Sequence, residues 1–117
     1  MRVVIPSRRR ERGCERVLQL FPGATVVVHE DEVAAYAPLG AELLAHPPEV
    51  QGIAPLKNWI LDNVPDETVF IVDDDISVLK AMSGRPRRSA PIADPRVIAQ
   101  ILENAEQMAR MLGTPVF

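Results

Sequence analysis

Apolar and polar positions along the chain follow two rhythms. Short β-branched runs at residues 2–6 (RVVIP) and 25–29 (TVVVH) have the length and composition of buried strands, the first stopped by proline. Between them, over residues 11–21, Cys14, Val17, Leu18 and Phe21 recur at helical spacing until Pro22 and Gly23 end the helix. Strand, helix, strand predicts a parallel sheet. An acidic turn and a short helix over 32–37 come next, then a brief edge strand around Leu43 and Leu44. In APLKNWILDNV, Leu56, Trp59, Ile60 and Val64 share one helical face, which predicts a second crossover helix closed by Pro65. A further strand, TVFIV, runs straight into Asp73, Asp74 and Asp75. Residues 83–94, rich in Gly, Pro, Ser and Arg, read as a long mobile loop. Asp94 then caps a helix that has Pro95 at its first position and runs to about Leu112. Its expected apolar side carries Val97, Ile98, Ile101, Leu102, Ala105, Met108, Ala109 and Leu112, and Gly113 ends it. The final TPVF looks like the start of another strand.

Composition narrows the class. At 117 residues, the chain is expected to form one α/β domain over 1–117, with a Rossmann-like, mostly parallel sheet and flanking helices. With 47% apolar and 25% charged residues it fits a globular protein, and no apolar run is long enough to span a bilayer. The start, MRVVIPSRRR, puts apolar residues before basic ones and does not resemble a secretory signal, so a cytoplasmic location is expected. Cys14 is the only cysteine, which excludes an internal disulfide and a multi-cysteine zinc site; it reads as a half-buried helix residue. The net charge of −3 means that any contact with nucleic acid must come from local basic clusters.

Three adjacent carboxylates oppose folding unless a positive charge offsets them. Their place at the carboxyl end of a predicted parallel strand is where open α/β sheets bind ligands. If strand alternation continues through the triplet, Asp73 and Asp75 point to one side and Asp74 away, so that Asp73 and Asp75 can share a hard cation such as Mg²⁺ or Mn²⁺. The alternative is a helix cap or a solvated turn. PSRRR, after the first strand, places Arg8 at the same edge to meet phosphate, or else forms a solvated basic turn. HEDE after the second strand reads by default as a solvated turn, or else offers acceptors for a nucleobase or ribose. His29 and His46 have no recognisable metal spacing and read as satisfied polar residues. Lys57 and Asn58 start the second crossover helix, within reach of a nucleotide or simply solvated. Arg85, Arg87 and Arg88 stay solvated in the loop, or else fold over a phosphate or touch nucleic acid.

Taken in order, VVIPSRRR, VVVHEDEVAAY, GIAPLKNWIL and VFIVDDDI resemble the nucleotide-sugar-binding half of GT-A-type glycosyltransferases. The likeness is nearest to the TET-associated glycosyltransferases of bacteriophages, a family linked to glycosylation of hydroxymethylated pyrimidines in DNA, and it covers nearly the whole chain. The resemblance implies a nucleotide pocket lined by Pro6, Ser7 and Arg8, with Glu30 and Tyr36 nearby and Asn58 matching the asparagine before the aspartate strand. It implies Asp73 and Asp74 at the nucleotide and Asp73 and Asp75 at the metal. It further implies Mn²⁺ or Mg²⁺, a nucleotide-diphosphate sugar donor, UDP-linked by expectation, and DNA as acceptor in a host cytoplasm. Lys57 stands where such families often carry arginine, keeping the charge without the bidentate fork. Those enzymes continue into an acceptor half, so a chain truncated at its C-terminus, completed by a second chain or homo-oligomer, is expected, and no catalytic base is assigned. VFIVDDDISVLKAM also resembles the opening of a response-regulator receiver domain, where an acidic pair binds Mg²⁺ beside a phosphorylated aspartate on a later strand. A nucleotide-binding fragment without transfer activity is the third reading.

Overall fold

The computed structural model describes residues 1–66, 68–76, 79–83 and 88–113, without the side chains of residues 80–90. Four strands, β1 (Arg2–Pro6), β2 (Thr25–His29), β3 (Glu42–His46) and β4 (Val69–Ile71), form an all-parallel sheet in the order β3-β2-β1-β4. The connections carry helices: α1 (Glu11–Leu20) after β1, α2 (Val33–Tyr36) between two short 3₁₀ turns after β2, and α3 (Ile53–Asn63) after β3. The protein is thus an α/β fold of Rossmann-like arrangement. Among the described residues no helix is long and apolar enough to cross a membrane.

Alternation along the strands sorts the core into two layers. Val3 and Ile5 of β1, Val26 and Val28 of β2 and Leu43 of β3 face α1, Tyr36 and α4 (Pro95–Leu112), whereas Val4, Val27, Leu44, Val69 and Ile71 face α3 through Leu56, Trp59, Ile60 and Val64. Successive side chains of a strand point to opposite faces, so a strand covered on both sides must be apolar throughout, as TVVVH nearly is. The expected faces of α1 and α3 are the buried ones. On α4 the buried stripe is narrower than the apolar stripe in sequence: Ile98, Leu102 and Ala109 turn inward, while Val97, Ile101, Met108 and Leu112 stay exposed. Asp94 caps α4 by accepting from the Arg96 N–H, and Gly113 ends it in a left-handed conformation.

One expected element is different. Where a loop was expected over 83–94, β5 (Leu79–Ser83) and β6 (Arg88–Ile92) pair antiparallel as a separate two-stranded sheet, with Leu79 opposite Ile92. Turn-forming residues mark a hairpin reversal as readily as a loop, and Pro91 is tolerated because each strand of a two-stranded sheet is an edge. Arg85, Arg87 and the expected terminal strand at 114–117 lie outside the described residues.

At the amino-terminal edge of the sheet, Arg2 donates to Asp66 Oδ1 at 3.0 Å, Thr25 Oγ1 at 3.2 Å and Glu42 Oε1 at 3.1 Å, so one guanidinium ties β1 to β2, β3 and the approach to β4. Replacing Arg2 with Ala is expected to cost about 1–2 kcal/mol, because the half-buried Asp66 loses its charged donor. Urea denaturation of the two proteins measures it.

Candidate functional site

The strand order reverses between β1 and β4. The chain starts at β1, moves outward through β2 and β3, and returns to the other side of β1, so α1 and α3 lie on opposite faces and leave a crevice beyond the carboxyl ends of β1 and β4. Ser7 ends β1 there, its N–H donating to the Val27 carbonyl at 2.9 Å. Val72 makes the last ladder bond of β4, its N–H donating to the Val4 carbonyl at 2.9 Å. The aspartates follow immediately.

Strand geometry stops before the triplet, and this corrects the expected arrangement. Asp74 and Asp75 occupy a turn, so the period-two rule does not reach them. Asp74 is the inward residue, accepting from Ser7 Oγ at 2.7 Å, with Arg10 at 3.6 Å from its other oxygen. Asp73 and Asp75 open onto different hollows. A cleft of about 750 Å³ is lined by Pro6, Ser7, Arg8, Asp73 and Asp74 beyond β1 and β4, and also by His29, His46, Val50, Ile53 and Leu56. A smaller hollow of about 430 Å³ lies across Asp74, lined by Arg9, Arg12, Arg16, Gly13 and Asp75.

The bonds around Ser7 have one consistent direction. An ionised carboxylate only accepts, so Ser7 donates to Asp74, and its oxygen accepts from the Tyr36 hydroxyl at 2.7 Å. The Tyr36 oxygen in turn accepts from the Arg10 backbone N–H at 3.2 Å. The resulting chain, Arg10 to Tyr36 to Ser7 to Asp74, links α1, α2, β1 and the aspartate turn. Burial of the Tyr36 side chain pushes its pKa up, against these hydrogen bonds.

Next to this chain the backbone is strained. Arg9 adopts φ +54°, a left-handed conformation that costs a bulky residue about 1–3 kcal/mol. Its N–H donates to Glu32 Oε2 at 2.9 Å, and Arg8 lies 3.7 Å from the other Glu32 oxygen. Glu32 is therefore the acidic residue that engages the loop. Glu30, expected near the nucleotide, is exposed on the 3₁₀ turn and lines neither hollow; Asn58 is exposed on α3 and lines neither, while its neighbour Lys57 does line the cleft.

Two contacts are nearly silent in the sequence. Gly13 lies inside α1, and a Cβ there would stand 3.0 Å from the Asp74 carbonyl oxygen, so the helix and the aspartate turn pack backbone to backbone. A glycine within a helix costs about 1 kcal/mol relative to alanine, and that anomaly was the available signal. The second is the pair His29 and His46, opposite each other in the β2–β3 ladder with ring centroids 5.3 Å apart. Sixteen intervening residues hide the pairing until the register is known.

Asp73 and Asp74 are enough carboxylates for Mg²⁺, which takes one or two together with substrate phosphates. Among the described residues no three His, Cys, Asp or Glu side chains converge as an all-protein metal cage. Comparison with protein families, with curated proteins and with solved structures returned no match.

Cys14 is fully buried, not half-buried as expected; burial, then the negative charge of Asp74, push its thiol up to about 11, with the Ser7 hydroxyl acting weakly the other way. A raised folded pKa means that the stability it contributes is complete below the ordinary value of 9.0 and is lost as pH rises to about 11. Wild-type stability is expected to fall by about 2–3 kcal/mol across that window, with a flatter profile in Cys14→Ala; denaturant midpoints taken from pH 7 to 11 measure both. For the helix contact, Gly13→Val is expected to cost about 1–3 kcal/mol in chemical denaturation by overpacking, and Gly13→Ala less, because its helix propensity offsets the crowding.

Proposed function

We propose that the cleft beyond β1 and β4 binds a nucleoside diphosphate sugar, and that the chain is a glycosyltransferase of the GT-A type or the donor-binding part of one. The observation that carries this reading is the convergence of the loop after β1 and the aspartate turn after β4 at the switch point, held together by the Ser7–Asp74 bond. The cleft has two characters, as a nucleotide does. Arg8, Arg10 and Lys57 suit a diphosphate, while Pro48, Val50, Ile53 and Leu56 offer an apolar wall to a nucleoside. Its volume lies in the range of small-molecule sites.

The cation that this reading requires, Mn²⁺ or Mg²⁺, would take oxygens from Asp73 and the diphosphate and stabilise the departing nucleoside diphosphate. Asp75 lines the smaller hollow instead. The resemblance to phage TET-associated glycosyltransferases makes hydroxymethylated pyrimidines in DNA the proposed acceptor. Arg9, Arg12 and Arg16 around the smaller hollow supply positive charge of the kind a phosphate backbone needs. The receiver reading finds less support, since β5 and β6 form their own antiparallel sheet and do not extend the parallel one.

Calorimetric titration with UDP and UDP-glucose, with and without Mn²⁺, tests the proposal. Wild type is expected to bind UDP in a Mn²⁺-dependent way, and Asp73→Ala to weaken binding about tenfold or more, the scale of one lost charged contact. Folded wild type that binds neither ligand with Mn²⁺ present overturns it.

A further inference from the structure

We propose that His29 and His46 form a second metal site, selective for a borderline transition metal such as Zn²⁺, where the carboxyl ends of β2 and β3 line the cleft. The proposal does not rest on the nucleotide reading. The two histidines are the last residues of β2 and β3 and face each other in register, with rings 5.3 Å apart at an interplanar angle of 81°. Both line the cleft.

In each ring, Nδ1 is already engaged. His46 Nδ1 lies 3.0 Å from the Pro47 carbonyl, which can only accept, so Nδ1 carries the proton and Nε2 keeps a lone pair. His29 Nδ1 lies 2.6 Å from Asp31 Oδ1 and 3.1 Å from the Asp31 N–H. The shorter contact decides the tautomer, because a carboxylate at that distance needs the proton between the two atoms. Both rings therefore present Nε2 as the free donor atom. A metal-binding histidine usually has this support, its other nitrogen held by a carboxylate or a backbone carbonyl that fixes ring orientation and raises ligand basicity.

Nothing among the described residues satisfies either Nε2. His46 is only 7% exposed, and the Trp59 ring stands 6.1 Å from it at 67°. Neither Nε2 is a buried, unsatisfied atom; both lone pairs are open to the cleft, where a metal ion can reach them. Two imidazoles suit Zn²⁺, Ni²⁺ or Cu²⁺ better than Mg²⁺ or Ca²⁺, whose preference is for oxygen. No third His, Cys, Asp or Glu joins them among the described residues, so water or ligand oxygens would fill the remaining positions. That makes an open site. Arg8, Arg10 and Lys57 repel a cation in the cleft, and Asp31, Asp73 and Asp74 offset them.

The test uses the tag-free full chain without nucleotide. Co²⁺ absorption and Zn²⁺ calorimetry are expected to give one ion per chain, with affinity lower by about tenfold or more in His29→Ala and His46→Ala. Long-range ¹H–¹⁵N spectra of the wild type provide a readout that no variant's folding affects: Zn²⁺ is expected to shift the Nε2 resonances of both histidines. Wild type that takes up no Zn²⁺, or Nε2 resonances that do not move, overturns the proposal, as does full affinity in either histidine variant.

Discussion

The hydrogen bond from Ser7 to Asp74 is the constraint on which the rest of the site depends. It joins the ends of two strands that are adjacent in space and 67 residues apart in sequence. A carboxylate so little exposed needs donors, and Ser7 with Arg10 supplies them at the mouth of the sheet. Because Asp74 can only accept, the direction of every bond behind it follows: Ser7 must donate, Tyr36 must donate to Ser7, and Arg10 is left to donate its backbone N–H to Tyr36. Such a chain polarises in one sense, and each bond strengthens its neighbours.

Around that bond, the fold arranges two kinds of chemistry in one cleft. Oxygen donors and basic side chains stand at the switch point, nitrogen donors at the ends of β2 and β3. Both follow from parallel strands, which bring their carboxyl ends to one edge whatever lies between them in sequence. The strain at Arg9 belongs to the same economy of space: the chain must leave β1 and enter α1 within four residues while Ser7 stays aimed at Asp74, and Glu32 holds the turn in place.

Much of this was legible in the sequence because the signals were local. β-branched runs marked β1 and β2, the Asp94–Pro95 pair marked the start of α4, and the aspartates lay at the edge where they were expected. What escaped notice depended on partners. Strand alternation could not be carried past Ile71, so Asp74 was given the outward role that Asp73 and Asp75 hold. Glu32 holds the turn at Arg9, and nothing in HEDE says which carboxylate turns that way. The glycine and proline punctuation at residues 84–91 was taken as a loop, although β5 and β6 needed only each other to pair.

The strand order also bears on how the protein folds. β1, β2 and β3 pair with neighbours in sequence, across loops of modest length, whereas β4 must return past all of them to reach β1. Loop closure makes the long-range pairing the slower entropic step. The half of the site made of Ser7 and Tyr36 therefore belongs to the part of the chain with local contacts, and the aspartates arrive with the strand that closes the sheet. A molecule that bridges the two halves would act as a staple on that final step, slowing the loss of β4 more than the unravelling of any other strand.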